Sequence, residues 1–217
     1  MLSPRSHNFI SYAGSICFYI YFSNISLASV LLFRDNYLKK TGLILWILHF
    51  ARRCVETCLL FKFSKKVVPI DDSITEFVYY WAFASWIAHS CPSDSAQPDM
   101  LSTLGVTIWF IAEVLNCFCH FKLAMNNDKK KRLRGFPLFS SITMPHYLFE
   151  ITSWIGFNTA LRWRSTSGIL FMLVGGFIML CWAIEKHSEY AASTKHTPLF
   201  FGIDLRPPKT IVKALAK

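Results

Sequence analysis

TGLILWILHFARRCVETCLLFKF (Thr41–Phe63) is an apolar run of membrane-spanning length with His49, Arg52, Arg53 and Glu56 in its interior. Their offsets of i, i+3, i+4 and i+7 put all four on one face of an α-helix. Each guanidinium or carboxylate near the middle of a bilayer costs about 3 kcal/mol on insertion scales unless it is paired or wetted. A helix carrying that load reads as one wall of a polar pocket in a membrane protein. Two arrangements suit the residues. One is a buried salt-bridge network in which Glu56 neutralises Arg53. The other is an anion or substrate site in which the guanidiniums hold phosphate or carbonyl oxygens.

Composition extends the membrane reading to the whole chain. Of 217 residues, 53% are hydrophobic and only 17% charged, where a soluble domain has roughly 25% charged residues. Apolar runs recur at Phe9–Phe33, Thr41–Phe63, Ser73–Cys91, Leu101–Phe121, His146–Trp163 and Ser167–Ile184, each of about the length a bilayer core needs. They predict an all-α integral membrane bundle of six transmembrane helices in one domain over residues 1–217. The count becomes seven if Phe136–Pro145 holds a split or re-entrant segment. Phe9–Phe33 is too long for a signal-peptide core and counts as the first span. Loops on one side carry most of the Lys and Arg outside the spans, which places both termini in the cytosol.

The net charge is +10, with a dense run at Lys122–Arg134. That run reads as a topology determinant touching anionic lipid or as a clamp for a phosphate-rich coenzyme. Basic residues that hug apolar segments argue against a nucleic-acid partner. The seven cysteines form no CxxC, and Cys54 and Cys58 lack a His–Cys quartet, so they read as buried free thiols and no metal is expected.

Further polar stripes repeat the pattern. Glu113, Asn116 and His120 fall at i, i+3 and i+7, and so do Tyr147, Glu150 and Trp154. Glu150, one turn inside an apolar run, needs a partner, and Arg52, Arg53 or His120 are the ones available. His187 and Tyr190 share a face at the end of the last run, as they also would on a solvated helix end. No Walker loop, GxGxxG turn, HExxH helix or Ser-His-Asp order is present. A nucleotide cofactor would have to bind between helices.

Four blocks carry a resemblance. They are LHFARRCVET (Leu48–Thr57) running on to Phe61–Ser64, YYWAFASW (Tyr79–Trp86), PHYLFE (Pro145–Glu150) followed by Ser153–Phe157, and Trp182–Tyr190. In that order, over about residues 45–190, they resemble the trans-2-enoyl-CoA reductase branch of the steroid 5α-reductase family. The resemblance implies an endoplasmic reticulum enzyme that reduces the 2,3-double bond of long-chain trans-2-enoyl-CoA with NADPH. That is the last step of each fatty-acid elongation cycle, carried out alongside the other elongation enzymes. Tyr147 matches the family's proton donor. Arg52 falls where enoyl reductases place a functional lysine, and as a poor proton donor it should stabilise the enolate. Asn116, Glu150, Trp154, His187 and Tyr190 match positions expected to line the NADPH pocket. Arg53 and His120 are expected as cofactor contacts, and His49 and Glu56 as substrate-side or supporting groups.

The departures are specific. Phe50 stands where steroid reductases carry a catalytic tyrosine, which argues against a steroid. His146 replaces a common asparagine. Ala124 and Asn127 stand in place of a basic pair, for which Lys129–Arg134 would substitute, and Thr194–Pro208 departs from the family's basic ending. A minimal chain without the N-terminal ubiquitin-like extension of many members is expected. The competing readings are a polyprenol- or steroid-type double-bond reductase on the same fold, a membrane methyltransferase, a transporter, or a non-catalytic subunit of the elongation complex.

Overall fold

The computed structural model describes residues 1–25, 36–61, 63, 67–92, 98–125, 142 and 144–193, with side chains described as far as residue 187. Six α-helices and one π-helical turn account for most of them: α1 Pro4–Ser23, α2 Tyr37–Val55, the π turn Glu56–Leu60, α3 Ile70–Ser90, α4 Met100–Met125, α5 Pro145–Ala160 and α6 Thr166–Ser193. Among the described residues there is no β-strand; Leu2 and Val68 meet in a single antiparallel bridge.

Each apolar run contains a helix, with ends displaced by local chemistry. α1 shows the largest displacement. It starts at Pro4 because the Ser3 hydroxyl accepts the Ser6 N–H at 3.1 Å and proline suits the first turn. It ends at Asn24, whose φ of 51° is a left-handed stop. α4 is capped by Asp99, the residue before its start, whose carboxylate accepts the Ser102 N–H at 2.8 Å and pairs with the Arg162 guanidinium at 3.1 Å. The Ser102 N–H is the main cause that holds the Asp99 carboxyl below its ordinary range. The Lys129–Arg134 run, the Thr194–Pro208 tail and most of Phe136–Pro145 lie outside the described residues.

By length and composition, α4 and the Thr166–His187 stretch of α6 can cross a membrane. Only 33% and 22% of their apolar windows are buried, whereas the core helix of a soluble protein would be mostly buried. α4 is polar inward and apolar outward: Ser102, Glu113, Asn116 and His120 are buried, while Leu104, Phe110, Ile111, Val114 and Phe118 are exposed. The other four helices do not meet that measure; α5 has 16 residues, and α2 carries four basic side chains.

The chain forms two compact units, Met1–Ile111 with Ser153–Met172 and Ala112–Thr152 with Leu173–Lys217. In the first, α1 packs on α3 and α2 through a stripe with a four-residue step, His7, Ser11, Ser15, Tyr19 and Ser23. Small hydroxyl residues let helices approach and still satisfy polar groups. The Trp46 indole donates to the Ser15 hydroxyl at 3.0 Å, and the Trp81 indole to the Ser11 carbonyl at 3.2 Å. Trp46 centres an aromatic core, with ring centroids 4.8 Å from Phe50, 5.0 Å from Tyr19, 5.2 Å from Phe171 and 5.4 Å from Trp154. Gly105 and Gly156 set a tight crossing of α4 and α5: a Cβ on Gly105 would lie 2.6 Å from the Ala160 Cα, and one on Gly156 2.5 Å from the Trp109 nitrogen.

One expectation is corrected. The cysteines are free, but only Cys91 and Cys119 are buried; Cys17, Cys58 and Cys181 are exposed and Cys54 and Cys117 are half-buried. On apolar helices a thiol sits on the outer face as readily as on the inner one, so an apolar run does not by itself bury it.

Candidate active site

The polar face of α2 resolves into a charged knot and an aromatic contact. Both Arg52 and Arg53 donate to Glu56, Arg52 to one carboxylate oxygen and Arg53 to the other at 2.8 Å. Glu56 is 1% exposed, so its charge is desolvated and depends on these partners. Arg53 also donates to the Tyr12 hydroxyl at 3.2 Å and lies over the rings of Tyr12 and Phe61, 5.3 and 5.6 Å from their centroids. With all three groups ionised the knot keeps one net positive charge. The salt-bridge network expected of these residues is therefore present, with Arg52 as well as Arg53 on Glu56. His49 is buried, its ring 4.6 Å from Trp154 and 4.8 Å from Phe50.

The backbone widens where the knot sits. The Glu56 N–H is shared between the Arg52 and Arg53 carbonyls, and the Phe61 N–H closes a five-residue loop on the Glu56 carbonyl at 3.0 Å. Such π turns are rare and occur mostly at functional sites. The Arg5 guanidinium reaches the carbonyl of the same Phe61 at 3.4 Å.

The second unit gathers a separate group. Glu113, Asn116 and His120 of α4 are buried, and so is His187 of α6. The Asn116 amide donates to the His146 carbonyl at 2.7 Å and to the Glu150 carboxylate at 3.1 Å. Both partners are acceptors, so they fix which end of the amide is nitrogen. Its oxygen, Oδ1, is buried and has no hydrogen-bond partner among the described residues. A buried acceptor left in that state costs about 1–3 kcal/mol, which a ligand N–H or O–H would relieve.

α5 opens with Met144 in a left-handed conformation, φ 51°, and its carbonyl accepts the Tyr147 N–H at 3.0 Å. The His146 ring then lies 4.3 Å from the Tyr147 ring and 5.5 Å from His120, and Tyr147 lies 6.1 Å from Trp182.

The structure thus brings Asn116, Glu150, His120 and Tyr147 into one cluster linked by His146, in the unit that also holds His187. Arg52, Arg53 and Glu56 form the knot in the first unit, where His49 and Trp154 touch each other. Trp154 belongs to the aromatic core. The Tyr190 side chain lies outside the described residues. Sequence reasoning did not name Asn116 as the partner of Glu150, and it missed Tyr12 and Trp182 as neighbours. The fourfold polar step along α1 was the available signal for Tyr12's helix. Trp182 opens the Trp182–Tyr190 block, but nothing in that block marks it as a neighbour of Tyr147.

Buried Glu113, Asn116, His120 and His187, with half-buried Tyr147 and Glu150, on otherwise apolar helices define a helical protein with a polar cluster in its second unit. The chain belongs to the 3-oxo-5-alpha-steroid 4-dehydrogenase family, which matches residues 66–199. It is similar to a very-long-chain enoyl-CoA reductase of Dictyostelium discoideum, 30% identical over 161 residues, covering 71% of this chain and 53% of that protein. A putative enoyl-CoA reductase of Trypanosoma brucei brucei is 32% identical over 163 residues, covering 71% and 53%. A probable very-long-chain enoyl-CoA reductase of Caenorhabditis elegans is 28% identical over 158 residues, covering 67% and 51%. The chain spans about half the length of these curated relatives.

Proposed function

We propose that the chain is a membrane-embedded, NADPH-dependent reductase of the 2,3-double bond of long-chain trans-2-enoyl-CoA, acting in fatty-acid elongation. The observation that carries the reading is Asn116, pinned by Glu150 and the His146 carbonyl with its oxygen still in want of a donor. A nicotinamide carboxamide or a ribose hydroxyl is such a donor, so the residues present fit the cofactor. Asn116, Glu150, His120 and His187, with Arg53, Trp154 and Tyr190 from the resemblance, would hold it. When bound it supplies the hydride.

The chain's own residues do the rest. Tyr147 gives its phenolic proton to the α-carbon, and Arg52 stabilises the charge that builds on the thioester oxygen. Glu56 holds the Arg52 guanidinium in a fixed direction, and Arg53 shares that carboxylate. The names of the similar proteins favour an enoyl-CoA over a steroid, and so does Phe50, a hydrocarbon ring packed against Trp46 and Tyr80. The exposed apolar faces of α4 and α6 support seating in a bilayer, here the endoplasmic reticulum membrane with both termini cytosolic and other elongation enzymes nearby.

The test is loss of NADPH absorbance with detergent-purified protein, offered trans-2-hexadecenoyl-CoA, a polyprenal and a 4-ene-3-one steroid separately. Oxidation with the enoyl-CoA alone is expected. Reduction of another substrate instead would keep the fold and cofactor and replace the substrate. Silence with all three, from a folded sample that binds no NADPH, would replace the reading with that of a non-catalytic subunit of the elongation complex.

A further inference from the structure

We propose that His146 and His120 form a proton relay that recharges Tyr147. The inference rests on the assignment of Tyr147 as proton donor and goes beyond it, because neither histidine is needed to deliver the first proton. Neighbouring residues on a helix project about 100° apart, so contact between their rings is not automatic. Here the left-handed turn at Met144 and the Asn116 bond to the His146 carbonyl hold the start of α5, and the imidazole lies 4.3 Å from the phenol ring. The second imidazole, His120 on α4, stands 5.5 Å from the first. These centre-to-centre separations put the three rings in a contiguous row, in which the proton passes from one ring edge to the next directly or through a bridging water.

The chemistry requires a source for the proton that Tyr147 gives up. In each turnover the Tyr147 O–H bond breaks and an α-carbon–hydrogen bond forms, which leaves a tyrosinate that must be reprotonated before the next. The tyrosinate takes a proton from His146, His146 takes one from His120, and His120 takes one from solvent. The relay consumes one proton per turnover, and the electron pair comes from the reduced nicotinamide. An imidazolium beside the ring also stabilises the phenolate while it lasts. The other titratable groups on the helices of this unit are Glu113, Cys117, Cys119 and Lys122 on α4, Glu150 on α5, and Cys181, Glu185, Lys186, His187, Glu189 and Tyr190 on α6. Of these, Glu150 is tied to Asn116 and the Lys122 amine lies over Phe118.

The experiment is the pH dependence of NADPH oxidation with trans-2-hexadecenoyl-CoA by the full chain. It compares wild type, His146→Asn, His120→Gln and Tyr147→Phe, with and without added free imidazole. In the wild type the rate should fall as pH rises through the imidazole range, roughly 6 to 8. His146→Asn should lower kcat about tenfold or more at the acidic end, leave KM for the acyl-CoA and NADPH binding nearly unchanged, flatten the profile, and recover with imidazole. His120→Gln should flatten the profile less. A folded His146→Asn that keeps the wild-type pH limb and ignores imidazole overturns the relay; should that variant fail to fold, the same behaviour in His120→Gln overturns it. Activity in Tyr147→Phe instead overturns the donor assignment on which the relay stands.

Discussion

Asn116 and Glu150 face each other across α4 and α5 with a 3.1 Å hydrogen bond from amide to carboxylate. The bond satisfies a carboxylate in apolar surroundings and turns the amide oxygen toward whatever donor the site receives. Asn116→Asp replaces the donor with a second carboxylate. It should weaken NADPH binding about tenfold or more through like-charge repulsion and loss of the bond, read by titration of cofactor fluorescence. Unchanged affinity would remove Asn116 from the cofactor site.

Glu56 is the shared anion of two guanidiniums. Glu56→Ala should destabilise the protein by about 3–5 kcal/mol, because it leaves two partly buried cations without their counter-charge. Replacing Arg52 and Glu56 together by methionine should cost much less. Thermal unfolding of the two variants in the same detergent separates these outcomes.

The crossing of α4 and α5 has no room for a side chain at Gly105. Gly105→Val should destabilise by about 3 kcal/mol or more, since the obstruction is helix backbone at Ala160 and not a movable side chain. A melting temperature equal to wild type would contradict the close approach.

Asp99 caps α4 as a carboxylate, and the N–H of Ser102 favours its charged form. Its folded pKa is depressed, so its contribution to stability is present above the unfolded value of about 3.9 and disappears as pH falls through the folded one. Asp99→Asn keeps a capping oxygen and removes the titration. The wild type should therefore lose its advantage over the variant only below about pH 4, measured as the difference in melting temperature across acidic buffers.

Arg52 is expected to act by charge alone. Arg52→Lys should retain a reduced rate, whereas Arg52→Ala should lose about 100-fold or more in kcat. Equal rates in the two variants would mean that charge at this position plays no part.

Much of the helical order could be read from hydropathy, because each run was long and sharply bounded by polar loops. The face shared by His49, Arg52, Arg53 and Glu56 followed from the 3.6-residue period. What hydropathy could not reach was set by single hydrogen bonds. Ser3 and Pro4 start α1 inside a polar segment, and nothing in ETCLL (Glu56–Leu60) announces a π turn. Long-range pairing was equally silent: His7 meets Ser73 and Glu76, 66 and 69 residues away, at 3.0 and 2.8 Å. Asn116 and Glu150 were both singled out as polar residues in apolar runs, yet their partnership depends on how α4 and α5 are rotated, which spacing along one helix does not fix.

The widened turn at Glu56–Leu60 leaves the chain one residue to spare at this point. A π turn holds one residue more than the α-helical path it replaces. Removing any one residue from Thr57 to Leu60 would therefore let the segment relax into a regular helical turn along the same path, with the Phe61 N–H still closing on the Glu56 carbonyl. Phe61 would stay near the Arg53 guanidinium, and its carbonyl near Arg5. Single-residue deletions at these four positions should be tolerated, whereas the same deletions inside the regular helix before Arg52 should not. A deletion scan across the two segments would expose the difference as a step in folding yield.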